Sequence, residues 1–263
     1  MRPRRYFRLI MLLAGASVSA QLEYRVNFLV NVASSILASG GALFGLSILF
    51  SDGQRVGGWT YREAIVVVGL FTLVEGFIAT FLQPNLSRVS EAVRTGTMDF
   101  TLLKPIDSQF LVSAREVNIF RLSDILIGLG LMLWAVITLH SATPWGVALG
   151  IVLILAGLVI VYAIWFILTT TAFWFVNIEN LTELFHGLFG AGQFPVTAFP
   201  GWTRIVFSFV VPVAFITTVP AEAFIGRADP ARAVGAAAIA LFLFFVARWF
   251  WKFAVRSYTS ASS

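Results

Sequence analysis

Apolar residues fill long stretches of this chain, and short polar segments separate them. Residues 145–176 include no charged side chain, and this run is longer than the roughly 20 apolar residues with which a helix crosses a bilayer. Because lipid cannot hydrogen-bond to the backbone, such a segment is expected to be helical. Further apolar runs cover residues 26–50, 64–82, 125–139 and 234–255, and a broken stretch covers 184–225. The pattern predicts an all-α polytopic membrane protein with six transmembrane helices.

The composition agrees with a membrane protein and excludes a soluble globular one. Hydrophobic residues make up 59% of the chain, charged residues only 12%, and the mean hydropathy is +0.88. Soluble surfaces carry about twice that share of charge. Six spans also use up most of the 263 residues, so we expect one membrane domain over residues 1–263 and no soluble catalytic domain.

The basic residues cluster on one side of the predicted membrane domain. Placing both termini in the cytoplasm leaves Arg55, Arg62, Arg227 and Arg232 outside, Arg204 unassigned, and the other lysines and arginines inside. This asymmetry follows the positive-inside rule. The net charge of +5 is therefore interpreted as an orientation signal, and we expect no nucleic acid among the partners.

Residues 1–22 allow two interpretations. Arg4 and Arg5, an apolar stretch and the sequence Val18-Ser19-Ala20 resemble a cleavable signal peptide. Cleavage would leave the new terminus outside and carry the basic segment between the second and third spans outside with it, against the charge rule. We therefore expect an uncleaved interfacial helix on the cytoplasmic membrane surface.

The only long polar insertion, residues 84–118, lies between the second and third spans. Leu86, Val89 and Val93 alternate with charged residues in a pattern that predicts a short helix ending near Gly96. Apolar side chains between Met98 and Ile106 follow, and a loop of this length cannot bury them by itself. We expect a partner protein to dock here, although these side chains could instead lie on the membrane.

The broken apolar stretch carries many helix-breaking residues, among them Pro212 and Pro220. Irregular backbone at membrane depth is tolerated only beside protein or a water-filled cavity. The sequence therefore favours a re-entrant segment near a translocation path, and an outer loop with amphipathic helices is the alternative. Glu222 and Arg227 follow these prolines and could gate an exit or simply be solvated.

Glu75 lies well inside the second span, where an ionisable group is costly and normally faces the bundle interior. It is a candidate for the translocation path, with a packing role equally open. Asp124 is expected to cap a helix or to pair with Arg121. The pair Glu183 and His186 has the spacing of half a di-iron site, but no second such pair exists in the sequence.

Three motifs resemble those of a bacterial ABC transporter permease family of the type-2 (ABC-2) exporter class. They are Leu102-Leu103-Lys104-Pro105, Ala214-Phe215-Ile216-Thr217-Thr218-Val219-Pro220-Ala221-Glu222 and the C-terminal Arg256-Ser257-Tyr258-Thr259-Ser260-Ala261-Ser262-Ser263. The resemblance extends over the chain. It implies a coupling helix within residues 84–118 and an outer re-entrant segment within residues 200–230.

The resemblance also assigns the residues that would couple transport to an ATPase: Arg88, Glu91, Arg94, Asp99, Lys104 and Pro105. The expected partners are an ABC ATPase dimer, a second permease that is a related but different chain, and membrane lipids, and the expected location is the bacterial cytoplasmic membrane. Glu75, Pro212, Pro220 and Glu222 are the candidates for the translocation path. Export is implied by the family class, and the motifs identify no cargo.

The chain itself lacks the residues for ATP hydrolysis. Neither of its two lysines, Lys104 and Lys252, ends a phosphate-binding Gly-x-x-x-x-Gly-Lys-Ser/Thr motif. ATP and Mg²⁺ are therefore expected in a separate subunit, with no cofactor, metal or catalytic residue in this chain. An ion-coupled transporter or channel that uses Glu75, or a membrane scaffold, is the alternative to the ABC permease.

Overall fold

The computed structural model of this protein describes residues 11, 12, 15, 17–19, 21, 25–51, 55–175, 179–210 and 212–258. Most of the predicted interfacial helix at residues 1–22, and the last five residues of the C-terminal motif, lie outside this part. Those residues between 11 and 21 that are described are helical.

Helices make up nearly all of the regular structure. Within the described residues there is no β-strand, only an isolated bridge between Val56 and Trp59. The α-helices, numbered along the chain, are α1 (Arg25–Leu49), α2 (Tyr61–Phe77), α3 (Gln83–Arg94), α4 (Asp99–Leu102), α5 (Ser108–Ser113), α6 (Leu122–Leu139), α7 (Pro144–Thr170), α8 (Glu179–Phe189), α9 (Gly201–Ile205), α10 (Val219–Phe224) and α11 (Pro230–Ser257).

Five helical segments of the described chain are long and apolar enough to cross a membrane. They are Val26–Leu49, Tyr61–Arg94, Ile119–Leu139, Pro144–Phe173 and Pro230–Ser257. The second joins α2 to α3 through the π-helical turn Ile78–Leu82. The predicted all-α polytopic membrane protein is confirmed.

The starts of three spans show why the helices begin where they do. Thr60 and Glu63 form a reciprocal capping box at the start of α2. Thr143 accepts a hydrogen bond from the backbone of α7, and Asp229 does the same for α11, each followed by a proline at the first helical position. All three starts lie at the same end of the bundle, which we call the Tyr61 end; the opposite end is the Arg94 end.

The remaining predicted span is present as short helices. Going along the chain from α8, His186 lies near Glu75, Phe189 stacks on Phe71, and Thr197 accepts a hydrogen bond from Trp59. These contacts follow α2 backwards, so this segment rises toward the Tyr61 end. It is broken by 3₁₀ turns at Gly190–Gln193 and Val196–Ala198, as its glycines and prolines suggested.

The chain then turns back into the bundle and out again. After α9 it descends to Val213, which lies beside Gly192, and it returns toward the Tyr61 end through Ala214–Thr218 and α10. Glycines of α7 allow the returning arm to approach closely: Gly157 faces Ile216, and Gly150 faces the ring of Phe224. Two short arms that run in opposite directions therefore occupy residues 201–210 and 212–224.

The tightest helix pair in the core is α2 with α6. A Cβ atom on Gly128 would lie 2.4 Å from the backbone nitrogen of Leu73, and one on Gly69 would lie 2.6 Å from that of Met132. Small residues that let two backbones approach in this way drive helix association in lipid, where the hydrophobic effect is absent. The positions of the polar groups described below are therefore given relative to α2.

Candidate functional site

The surface at the Arg94 end is built on α3. Asn85, Leu86 and Val89 are buried on one face of this helix, whereas Arg88, Glu91 and Arg94 are exposed on the other. Gly96, with a φ of +72°, stops the helix in the left-handed region, where glycine is favoured. The predicted short helix is present, and its charged face is exposed.

The turn that follows α3 exposes large apolar side chains. Met98 is fully buried, and its amide donates a hydrogen bond to the carbonyl of Ala92 at 3.1 Å, which fixes the turn against α3. Phe100 and Leu103 are 71% and 81% exposed. Lys104 and Pro105 are also exposed, and Asp99 is half-buried. We call seven of the exposed residues of α3 and of this turn the coupling surface, after the role that the resemblance implies for most of them: Arg88, Glu91, Arg94, Phe100, Leu103, Lys104 and Pro105.

Asn85 connects α3 to the segment before α6. Its amide nitrogen donates to the carbonyls of Phe81 and Glu116, both at 2.7 Å, and its oxygen accepts from the amides of Arg115 and Glu116. These four bonds use the full capacity of an asparagine side chain. Arg88 adds an ion pair to Glu116 at 2.6 Å. The coupling surface is thereby joined to the segment that leads into the third span.

The segment after the coupling surface is joined to the last helix. Asp107 caps α5 by accepting from the amide of Phe110, and Arg248 of α11 donates to both oxygens of the Asp107 carboxylate and to Gln109. The hydrogen bond from Arg248 holds the pKa of Asp107 below its ordinary value. The nitrogen of Trp251, one turn along α11, donates to Ser108 at 3.0 Å.

Tyr162 brings α7 into the same network. Its hydroxyl accepts a hydrogen bond from Gln109 at 3.2 Å and lies 2.9 Å from the hydroxyl of Ser113. The helix α5 is thereby joined by hydrogen bonds to both α7 and α11. Sequence analysis missed this network, although Arg248 could have been noticed as a charge within the last apolar run.

Glu75 lines a polar cavity of about 310 Å³ between α1, α2 and α6. Gln193, the last residue of the 3₁₀ turn Gly190–Gln193, also lines this cavity. Other polar residues of the wall are Ser34, Ser35, Ser39, Thr72, Arg121 and Asp124. Asp124 pairs with Arg121 at 3.6 Å, as the sequence suggested. The imidazole of His186 lies 3.7 Å from the Glu75 carboxylate.

Glu222 contacts different groups from Glu75. It is 8% exposed, so it is not simply solvated, and Arg232 donates to both of its oxygens at 2.8 and 3.0 Å. Pro212 and Pro220, which precede Glu222 in the sequence, are also buried. Of the four translocation-path candidates, the described lining of the cavity includes only Glu75.

A second ion pair, between Arg227 and Glu63, lies at the Tyr61 end. Arg227 donates to Glu63 at 2.5 Å and to the carbonyl of Gly58 at 3.1 Å. Since Glu63 caps α2, the loop that follows α10 is fastened to the start of the central helix. Glu63 was not singled out from the sequence, because its partner lies 164 positions away.

A metal centre has no support in the described part of the chain. No three histidine, aspartate or glutamate side chains there are grouped so that they could hold an ion. His186, half of the suggested di-iron pair, instead faces Glu75.

Comparison with known protein families identifies the family of this chain. The sequence profile of the ABC-2 family transporter protein matches residues 36–262, which is most of the chain. A search of curated proteins finds no match. This multi-pass membrane protein therefore belongs to the ABC-2 transporter family, whose members are membrane components that work with an ABC ATPase rather than being enzymes themselves.

Proposed function

We propose that this chain is the permease subunit of an ATP-driven ABC exporter and that its ATPase docks on the coupling surface. The exposure of Phe100 and Leu103 supports this most directly. Two large apolar side chains on one turn, bordered by Arg94 and Lys104, are typical of a protein interface with an apolar centre and a charged rim.

The second part of the proposal is how ATP hydrolysis moves the membrane-spanning helices. Movement of the docked ATPase displaces α3 and α4, and the network of Asp107, Arg248 and Tyr162 carries that displacement to α7 and α11. The two spans then rearrange between inward-facing and outward-facing states. ATP and Mg²⁺ are bound by the ATPase dimer, and this chain supplies no catalytic residue.

The proposal includes the following setting. The Arg94 end and both termini face the cytoplasm of a bacterium, the chain lies in its inner membrane, and a second permease completes the pathway. Gly41 and Gly45 support such pairing, because open space surrounds both on α1 and two small residues at this spacing allow close helix approach. We favour a related but different chain as the second permease. The cargo belongs to the classes of lipid-linked or polymeric saccharides, lipids, and hydrophobic or cationic small molecules.

Co-purification tests the docking surface. The double variant Phe100→Ser/Leu103→Ser should lose the ATPase from the purified complex, because both side chains leave the interface without disturbing the permease core. The matched control is Trp202→Ser/Ile205→Ser, which changes two side chains of comparable exposure at the Tyr61 end. Retention of the ATPase by the first variant would reject the docking assignment.

A second candidate function is ion-coupled transport without an ATPase. Glu75 supports it, since a carboxylate beside a polar cavity at membrane depth is typical of ion pathways. Transport that persists after ATP depletion and collapses with the proton or sodium gradient would favour this function over the ABC exporter.

A further inference from the structure

The polar cavity beside Glu75 is unusual for its depth in the bundle. Glu75 lies 14 positions after Tyr61, which places it about 21 Å along the helix from the Tyr61 end. Water is scarce at such depth, so polar side chains there are expected to satisfy one another or to bind something.

Some polar groups of the wall already have partners within the protein. Asp124 has Arg121, the hydroxyl of Ser35 donates to the carbonyl of Asn31 at 2.8 Å, and that of Thr72 donates to Val68 at 2.9 Å. Within the described residues the Glu75 carboxylate accepts no hydrogen bond, and its nearest ionisable neighbour is the imidazole of His186 at 3.7 Å, beyond hydrogen-bond length. The carboxylate can therefore still accept hydrogen bonds from a ligand in the cavity.

Charge and size define what could fill it. The ionisable groups at the cavity are two carboxylates, one guanidinium and the imidazole of His186 beside Glu75. Because Asp124 is already paired with Arg121, the place for a cationic ligand is next to Glu75. The volume of about 310 Å³ is near the lower bound of the roughly 300–1,000 Å³ found for ligand pockets. A head group fits into this space, and a polymer does not.

One wall of the cavity lies beside an exposed apolar surface. The helix α1 supplies Ser34, Ser35 and Ser39 to the wall. The same helix exposes Leu29 and Ile36, which lie on a different face from Gly41 and Gly45. A ligand with an apolar tail could thus keep the tail in lipid while its head occupies the cavity.

We propose that this cavity binds the primary ammonium head of an amphiphile, with Glu75 as its counter-ion and the serine and threonine hydroxyls of the wall around it. An ammonium group offers three hydrogen-bond donors, and the oxygens of the Glu75 carboxylate and of the wall hydroxyls can accept them. The inference deepens the proposed transport function, on which it rests, by selecting the cationic class among the possible cargoes.

Equilibrium binding of radiolabelled dodecylamine tests the proposal. The full-length chain is placed in phosphatidylcholine nanodiscs at pH 7, where an alkyl ammonium is charged, and empty nanodiscs give the background. We expect saturable binding to the wild type and an affinity at least tenfold lower for Glu75→Gln. Glu183→Gln is the control, because it removes an exposed carboxylate from α8, outside the cavity wall. Labelled dodecanol, which has no charge, should only partition into the lipid.

A second variant covers the case in which Glu75→Gln does not fold. Ser39→Leu fills the cavity and leaves the carboxylate in place, and it too should abolish saturable binding. Binding of dodecylamine to either folded variant with wild-type affinity, or saturable binding of dodecanol, would overturn the proposal. Because the measurement uses neither ATP nor ATPase, such a result would leave the docking experiment on Phe100 and Leu103 as an independent test of the permease function.

Discussion

Arg248, near the end of the last helix, binds the carboxylate of Asp107 through both terminal nitrogens of its guanidinium. The two residues are 141 positions apart in sequence, and Asp107 directly follows the coupling surface. Two parallel bonds between planar groups restrict orientation as well as distance. This pair is therefore suited to transmit movement, and it is the first target for mutation.

Asp107→Asn should lower the free energy of unfolding by about 1 kcal/mol at pH 7, a modest figure because both side chains are about a third exposed. The pH dependence follows from the lowered pKa of Asp107. The stabilisation is fully present above the unfolded-state pKa of about 4 and is lost as the pH falls through the lower folded-state value. The melting temperature of the wild type should therefore fall more than that of the variant when the pH is lowered from 6 to 3.

The same variant separates coupling from stability. In the complex with its ATPase, Asp107→Asn should reduce transport by more than it reduces ATP hydrolysis, because docking is intact while the link to α11 is weakened. An equal reduction of both rates would argue against a role in transmission.

Gly128→Ala should destabilise the bundle by about 1–3 kcal/mol or more, since the new methyl group meets the backbone of α2 and not a flexible side chain. Gly130→Ala, two positions along the same helix, meets nothing within 4 Å. It should be neutral or slightly stabilising because alanine is the better helix former. Equal melting temperatures for the two variants would contradict the close packing of α2 and α6.

Arg232→Met should cost at least about 2 kcal/mol, because it leaves the buried Glu222 carboxylate unpaired. Fully buried pairs cost roughly 3–5 kcal/mol when one partner is removed, and half of the Arg232 side chain remains exposed. Adding Glu222→Gln to this variant removes the uncompensated charge and should recover part of the loss. A double variant as unstable as the sum of the single ones would show that the two groups do not interact.

Asn85→Leu should destabilise the coupling region by about 2 kcal/mol or more, since the amides of Arg115 and Glu116 lose their acceptor. The control is Asn31→Leu on α1, whose side chain donates only to the carbonyl of Asn27 at an exposed site. Faster hydrogen exchange at residues 115–116 in the first variant alone is the expected result. Unchanged exchange would mean that Asn85 does not hold this segment.

The sequence predicted those parts of the fold that depend on local pattern. Long apolar runs located the five span-length helices, the prolines and glycines of residues 184–225 located the broken segment, and Gly96 located the end of α3. Each of these depends on lipid solvation or on backbone preference, which neighbouring residues determine.

The polar pairs could not be predicted, because their partners are far apart along the chain. Nothing near Asp107 indicates Arg248, and nothing near Glu63 indicates Arg227. Glu75 was recognised as costly in lipid, but its cavity arises only when α1, α2 and α6 pack together. The exposure of Phe100 and Leu103 was anticipated from the length of the loop. The burial of Met98 in the same segment could be seen only in the structure.

The most direct test of the account is the side of the membrane on which Leu103 lies and what covers it there. The chain has no cysteine, so Leu103→Cys and Trp202→Cys each create a single site for a membrane-impermeant maleimide. We predict that Leu103→Cys reacts only in inverted vesicles stripped of the ATPase and becomes protected when the ATPase is added, while Trp202→Cys reacts only in intact spheroplasts. Reaction of Leu103→Cys from outside intact spheroplasts would contradict the account.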